Sequence, residues 1–91
     1  MSSSQPDIVD RARRDLAQRL GLSTTESAAE SVEQADFPDA ALGASTEDEM
    51  SAQVITSGWR IRLKANGKTY EYRASAGQLR LLNFNGENYR I

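Results

Sequence analysis

The sequence predicts an α+β fold, in which one N-terminal amphipathic helix packs on a mostly antiparallel sheet of about four strands. Apolar residues recur every three or four positions over about 5–20, which is the period of a helix. Further along, the period changes to two, and Asn66-Gly67 interrupts the most regular alternating stretch. Asn-Gly between alternating segments is the strongest short hairpin signal. The chain has 91 residues, so we expect one small domain, 1–91, with a thin core.

The helix is predicted over about 5–20. Its apolar stripe consists of Ile8, Val9, Ala12, Leu16 and Leu20. Ser4 suits the N-cap position, and Gly21 suits the left-handed residue that ends a helix, with Leu22 folding back onto it.

The segment 23–35 leaves two alternatives open. Ser23 and Glu26 have capping-box spacing, and Ala28, Val32 and Ala35 have helical spacing, so the pattern alone leans slightly towards a helix. Its threonines and serines are poor residues for a helix interior, and they favour a strand over about 29–37 instead.

A loop is predicted over 38–53. Phe37, Pro38 and Asp39 are typical of a structural corner, with Phe37 buried and Asp39 capping nearby backbone N–H groups. Gly43 permits a positive φ. Because the loop is long for a compact domain and acidic, we expect it to be mobile.

Three more strands are predicted over about 57–65, 68–75 and 78–84, with turns at Asn66-Gly67 and Ala76-Gly77, and a further turn is possible at Asn85-Gly86. A two-residue turn pairs Leu63 with Tyr70 and Arg62 with Glu71, which fixes the register. The apolar side chains then share one face with the helix as its lid. The sheet residues of this predicted core are Trp59, Ile61, Leu63, Tyr70, Tyr72, Leu79 and Leu81.

The composition argues against catalysis. The chain contains no histidine and no cysteine, which removes the commonest general base, the usual metal ligand and every thiol. Only Lys64 and Lys68 could replace histidine, and both lie on a predicted exposed hairpin. We therefore expect no enzyme, no catalytic residue, no metal site and no cofactor.

Charge is unevenly distributed along the chain. Residues 1–57 carry eleven acidic and four basic side chains, and residues 58–91 carry two acidic and seven basic ones. The basic residues of the predicted open sheet face form a candidate surface for an anion or a partner: Arg60, Arg62, Lys64, Arg73 and Arg80. Trp59, Tyr70 and Tyr72 fall on the opposite face, where they cannot stack on bases. The pI of about 5.0 also argues against nucleic acid, so a solvated sheet face is the favoured interpretation.

An acidic run, Glu47-Asp48-Glu49, follows Asp36 and Asp39. It lacks the spacing with which an EF-hand loop surrounds calcium, and a solvated loop explains it better.

Several short motifs resemble those of a small uncharacterised bacterial domain, of cyanobacterial type, often found behind export or lipoprotein leaders. The matching residues are Leu16 to Gly21, Phe37-Pro38-Asp39, Leu42-Gly43, Gly58-Trp59 and Tyr70 to Arg73. The resemblance implies a strand over about 29–37. This chain has Phe37 at the position where that bacterial domain has tryptophan. It has Ala44 where some members of that domain have cysteine. The order of helix and meander is also similar to that of the PepSY domain, which accompanies secreted peptidases.

These observations predict a non-catalytic binding or interaction module that uses the sheet edge or the 38–53 loop. The alternatives are an inhibitor-like or propeptide-like accessory domain, by analogy with PepSY, and a weak anion or nucleic-acid binder. We expect a protein or peptide partner, and a monomer or weak self-association. No stretch is apolar and long enough to span a membrane. As written the chain is expected in the cytoplasm, or outside it if a leader precedes this sequence.

Overall fold

The computed structural model describes residues 5–23, 26–47, 49–75 and 77–91. The elements are helix α1 (Gln5–Leu20) and strands β1 (Ala28–Phe37), β2 (Thr56–Ala65), β3 (Lys68–Ser75), β4 (Gln78–Phe84) and β5 (Glu87–Arg90). The fold class is α+β, as predicted. Ser4, Asp48 and Ala76, which figured in the predicted N-cap, acidic run and second turn, lie outside the described residues.

The described strands form a five-stranded antiparallel meander in the order β1-β2-β3-β4-β5. Residues 28–37 form a strand and not the helix that their pattern alone slightly favoured, because they pair along β2. The sheet has one strand more than the predicted four or so. Asn85-Gly86 turns the chain into β5, and its short ladder continues when the Ile91 N–H donates to the Leu79 carbonyl.

The β2–β3 hairpin has the register expected from the Asn-Gly turn. Leu63 pairs with Tyr70 and Arg62 with Glu71. Asn66 and Gly67 both have positive φ, at 53° and 74°, as a type I′ turn requires. The local turn thus places the alternating apolar residues on one face.

Helix α1 covers that apolar face. Ile8, Ala12 and Leu16 are buried against side chains of β2, β3 and β4, and Val9 and Leu20 pack at the margin. The helix ends as predicted, because Gly21 has φ 69° and the Leu22 N–H donates to the Ala17 carbonyl at 2.8 Å. The core therefore lies between one helix and one face of the sheet.

Polar contacts fix the helix over the sheet. The Tyr72 hydroxyl, which is buried, donates to Asp15 Oδ2 at 2.7 Å. Arg19 Nε donates to the same oxygen, and its guanidinium lies 4.5 Å from the centre of the Tyr89 ring. Burial and the neighbouring Asp15 carboxylate raise the pKa of Tyr72, so it stays protonated as a donor. Asp15 therefore joins α1 to β3 in the middle of the sheet, and Arg19 joins α1 to β5.

Gly58 allows β2 to pass close to other groups. A Cβ added there would collide with the backbone carbonyl of Ala74 and lie 3.3 Å from the ring of Phe37. This close approach explains a glycine inside a strand, where it otherwise weakens pairing.

Replacing Tyr72 with phenylalanine tests the link to Asp15. We expect Tyr72→Phe to lower the free energy of unfolding by about 1–2 kcal/mol, because it removes a buried hydrogen bond to a charged group. Tyr70→Phe is the matched control, since the Tyr70 hydroxyl has no hydrogen bond to the described residues. Urea unfolding of the three proteins measures the difference, and equal losses in both variants would contradict the proposed link.

Candidate functional site

The five basic residues predicted to share an open face are not brought together as one exposed patch. The face of the sheet opposite α1, which we call the second face, is partly covered by residues 38–47 and Glu49, which we call the strap. Ala41, Leu42 and Ala44 of the strap are buried. Arg80 is 5% exposed, so it belongs to the interior. The first part of the predicted mobile loop is therefore a packed layer of the fold.

Side chains of the sheet hold the strap by its backbone. Four of them donate to strap carbonyls: Arg73 to Leu42 at 3.0 Å, Gln78 to Ala40 at 3.0 Å, Arg80 to Ala44 at 3.4 Å and Asn88 to Ser45 at 2.9 Å. These bonds satisfy backbone acceptors that a buried loop would otherwise leave unpaired. They also hold Leu42 in the left-handed conformation, with φ 60°, which a non-glycine residue adopts only at a cost.

The predicted corner lies where the strap begins. Phe37 is buried, and the Arg73 guanidinium lies 5.3 Å from the centre of its ring. Asp39 Oδ1 accepts from the N–H groups of Ala41 and Gly43, at 2.9 and 3.0 Å. Pro38 packs near Gly43, since a Cβ added at Gly43 would lie 3.4 Å from Pro38 Cδ. The corner thus directs the chain from β1 back over the sheet.

A bidentate ion pair fixes the far end of the strap. Arg80 Nη1 and Nη2 donate to Glu49 Oε1 and Oε2 at 2.6 and 2.8 Å. Hydrogen bonding from Arg80 lowers the pKa of Glu49 to about 2, although partial burial opposes the shift. Arg90 lies 3.6 Å from the same carboxylate. Glu49 therefore compensates a guanidinium that the sheet has removed from water.

The remaining arginines of this face share two carboxylates. Arg73 Nε donates to Glu71 at 2.8 Å, while Arg60 and Arg62 each lie 3.6 Å from Glu71. Glu33 of β1 lies 3.6 and 3.7 Å from Arg60 and Arg62. Lys64 is exposed and has no ion pair with the described residues. The face is thus largely neutralised from within.

The aromatic residues of the predicted core lie in it or beside it. Tyr72 is buried under α1, with Trp59 and Tyr70 at the margin of the core. In the part of the chain that the structure describes, no three His, Cys, Asp or Glu side chains are placed to hold a metal ion. Nor does that part contain a helix of the length and hydropathy that crossing a membrane requires.

Strand β1 lies at one edge of the sheet. Nine of its ten residues have a partner on β2, and no other described strand pairs with it, which leaves its outer edge without a strand partner. Six of its side chains are exposed, and the strand contains neither proline nor a basic residue. Just beyond it, the β1–β2 connection exposes three apolar side chains, Met50, Val54 and Ile55.

Comparison with known proteins identifies a family that covers most of this fold. Residues 9–82 match the model of a family described as a domain of unknown function, DUF8738. The chain belongs to the DUF8738 family. No curated protein and no solved structure matches it significantly. The DUF8738 match runs from α1 to β4, so it includes β1, the strap and Arg80.

Sequence reasoning missed the two acidic side chains that organise the second face of this DUF8738 domain. The sequence assigned Glu49 to a solvated acidic loop, and it left Glu33 in a segment that could be either helix or strand. A signal was present, because a sheet face with five basic residues needs more carboxylates than the 58–91 half of the chain supplies through Glu71. The excess acid in residues 1–57 supplies them.

The Arg80–Glu49 pair predicts a pH dependence of stability. Glu49 has a folded pKa of about 2, below its ordinary value of 4.5, so its stabilising effect is complete above about pH 4.5. That effect disappears as the pH falls through about 2. Glu49→Gln should therefore lower the free energy of unfolding by about 3 kcal/mol at pH 7, because it leaves the buried Arg80 guanidinium without its carboxylate, and its curve should converge with the wild-type curve towards pH 2.

The measurement is urea unfolding of both proteins across this pH range. Glu47→Gln is the matched control, because Glu47 is exposed and has no ion pair with the described residues. A constant difference between Glu49→Gln and wild type at every pH would show that the carboxylate charge does not hold the strap.

Proposed function

We propose that this DUF8738 domain is a non-catalytic interaction module that binds an extended segment of another protein by strand addition to β1. The observation that carries the proposal is the free outer edge of β1, ten residues long. An unpaired edge presents a row of backbone donors and acceptors that a peptide in extended conformation can complete.

The rest of the fold favours β1 over the other surfaces. The strap covers part of the second face, and α1 covers the first. The opposite edge, β5, has only four residues and offers a much shorter ladder. Strand β1 is also long enough to specify a register, and its own pairing with β2 keeps it extended.

The site chemistry supports binding over catalysis. The chain has no histidine or cysteine, and Lys64 and Lys68 are exposed on the hairpin. The second face does not favour binding of a polyanion, because Arg73 and Arg80 already donate to the strap and to carboxylates.

An accessory role beside a bacterial peptidase is a second candidate. It is favoured by the order of one helix and an antiparallel meander, which is similar to the PepSY order, and by the extended conformation in which peptidases hold peptides. It predicts that stoichiometric amounts of the domain slow the turnover of a peptidase. If peptidase turnover is unchanged while β1 still binds peptides, the accessory role is overturned and the interaction module stands.

The test of strand addition is a titration of the ¹⁵N-labelled full chain with nine-residue Thr/Val peptides. Three versions carry lysine, glutamine or glutamate at the second, fifth and eighth positions. We expect at least one version to shift the amide resonances of every second residue of β1, while those of β5 stay unchanged.

N-methylation of alternate peptide residues supplies the matched control. One phase of methylation removes the donors that face β1 and should abolish binding, while the other phase leaves them and should be tolerated. The proposal is overturned if no peptide shifts β1 at about 1 mM, or if both phases bind equally.

A further inference from the structure

The side chains of β1 specify which kind of segment it accepts. Resting on the strand addition proposed above, we infer that the partner segment is basic, with lysine or arginine at every third residue. Acidic residues recur along β1 at that spacing: Glu30, Glu33 and Asp36. All three are exposed, and the strand adds no basic residue to offset them.

Two of these carboxylates lack a cationic partner in the described part of the chain. Glu30 accepts only from the Thr69 hydroxyl at 3.2 Å, and Asp36 only from the Ser57 hydroxyl at 2.9 Å. Glu33 is shared by two arginines at 3.6 and 3.7 Å, and half of its side chain stays exposed. The strand with the free edge therefore carries three exposed carboxylates, and two of them have no cationic partner among the described residues.

The same charges argue against a second copy of this chain as the occupant. Antiparallel pairing of β1 with β1 would bring together two strands that each carry three acidic and no basic side chains, and directly opposite like charges in the register centred on Glu33 destabilise the pair. A basic segment reverses the sign of every such contact. Charge complementarity therefore selects a partner of different sequence.

The spacing also matches the geometry of a strand. Residues three apart on a strand point to opposite faces, and so do Glu33 and Asp36, whose partners on β2 are Arg60 and Ser57. In an antiparallel partner, a basic residue opposite Glu33 is followed three positions away by one opposite Asp36. Glu30 lies at the register shift between Ala29 and Ser31, at the end of this row.

The peptide panel described above separates this inference from strand addition itself. At low ionic strength the lysine peptide should bind about tenfold more tightly than the glutamate peptide, with the glutamine peptide between them. An isomer with its three lysines gathered at one end should bind about as weakly as the glutamine peptide. Raising the salt concentration to about 0.5 M should remove most of the advantage of the lysine peptide.

Variants of the chain test the carboxylates directly. Glu30→Gln with Asp36→Asn keeps both hydrogen-bond acceptors but removes two charges, so it should reduce the preference for lysine over glutamate to about threefold or less. Glu47→Gln with Glu87→Gln is the matched control, because it removes the same charge from two exposed residues outside β1. The control should keep the full preference.

Each outcome decides one of the two proposals. Equal binding of the lysine, glutamine and glutamate peptides, still sensitive to the phase of N-methylation, overturns the basic partner and leaves strand addition standing. If the control variant loses the preference for lysine as much as the β1 variant does, the preference depends on net charge. That result also overturns the inference. Absence of binding by every peptide overturns strand addition, and the basic partner with it.

Discussion

The ion pair between Arg80 and Glu49 is the contact on which the second layer of this domain depends. A guanidinium on the second face of a sheet ordinarily points to water. Here it is buried, and a buried charge without a partner costs several kcal/mol. Glu49, which lies 31 residues before Arg80 in the sequence, supplies that partner. The strap, its backbone bonds to the sheet and the burial of Phe37 and Leu42 all accompany that pairing.

In the part of the chain that the structure describes, this constraint covers one face of the sheet and part of the other. Helix α1 closes one side with apolar packing, and the strap closes part of the other with short side chains and charge-assisted hydrogen bonds. Because a five-stranded open meander still has two edges, strand β1 remains as the long unpaired border. The proposed function follows from what the two layers leave uncovered, and the proposed preference for a basic segment follows from the acidic side chains of β1.

Local signals predicted most of the fold. The helix stripe, its Gly21 terminus and the Asn66-Gly67 hairpin depend on residues close in sequence, and the structure has the same arrangement. The strand at 28–37 was ambiguous because its pairing with β2 is non-local. Alternation assigned Arg80 to solvent on the assumption of a one-layered sheet. The strap violates that assumption through contacts between residues more than thirty positions apart, such as Arg73 with Leu42. The free edge of the sheet was foreseen in general terms, but β1 could be named only once the strand order was known.

Residue-resolved amide hydrogen exchange of the full chain tests the account most directly. We expect protection along β1 to alternate, with every second amide between residues 30 and 36 exchanging rapidly at the free edge. We also expect slow exchange for Ala41 and Gly43, whose N–H groups donate to Asp39 inside the strap. Uniform protection along β1, or exchange of the strap amides at the rate of an unfolded peptide, would contradict the account.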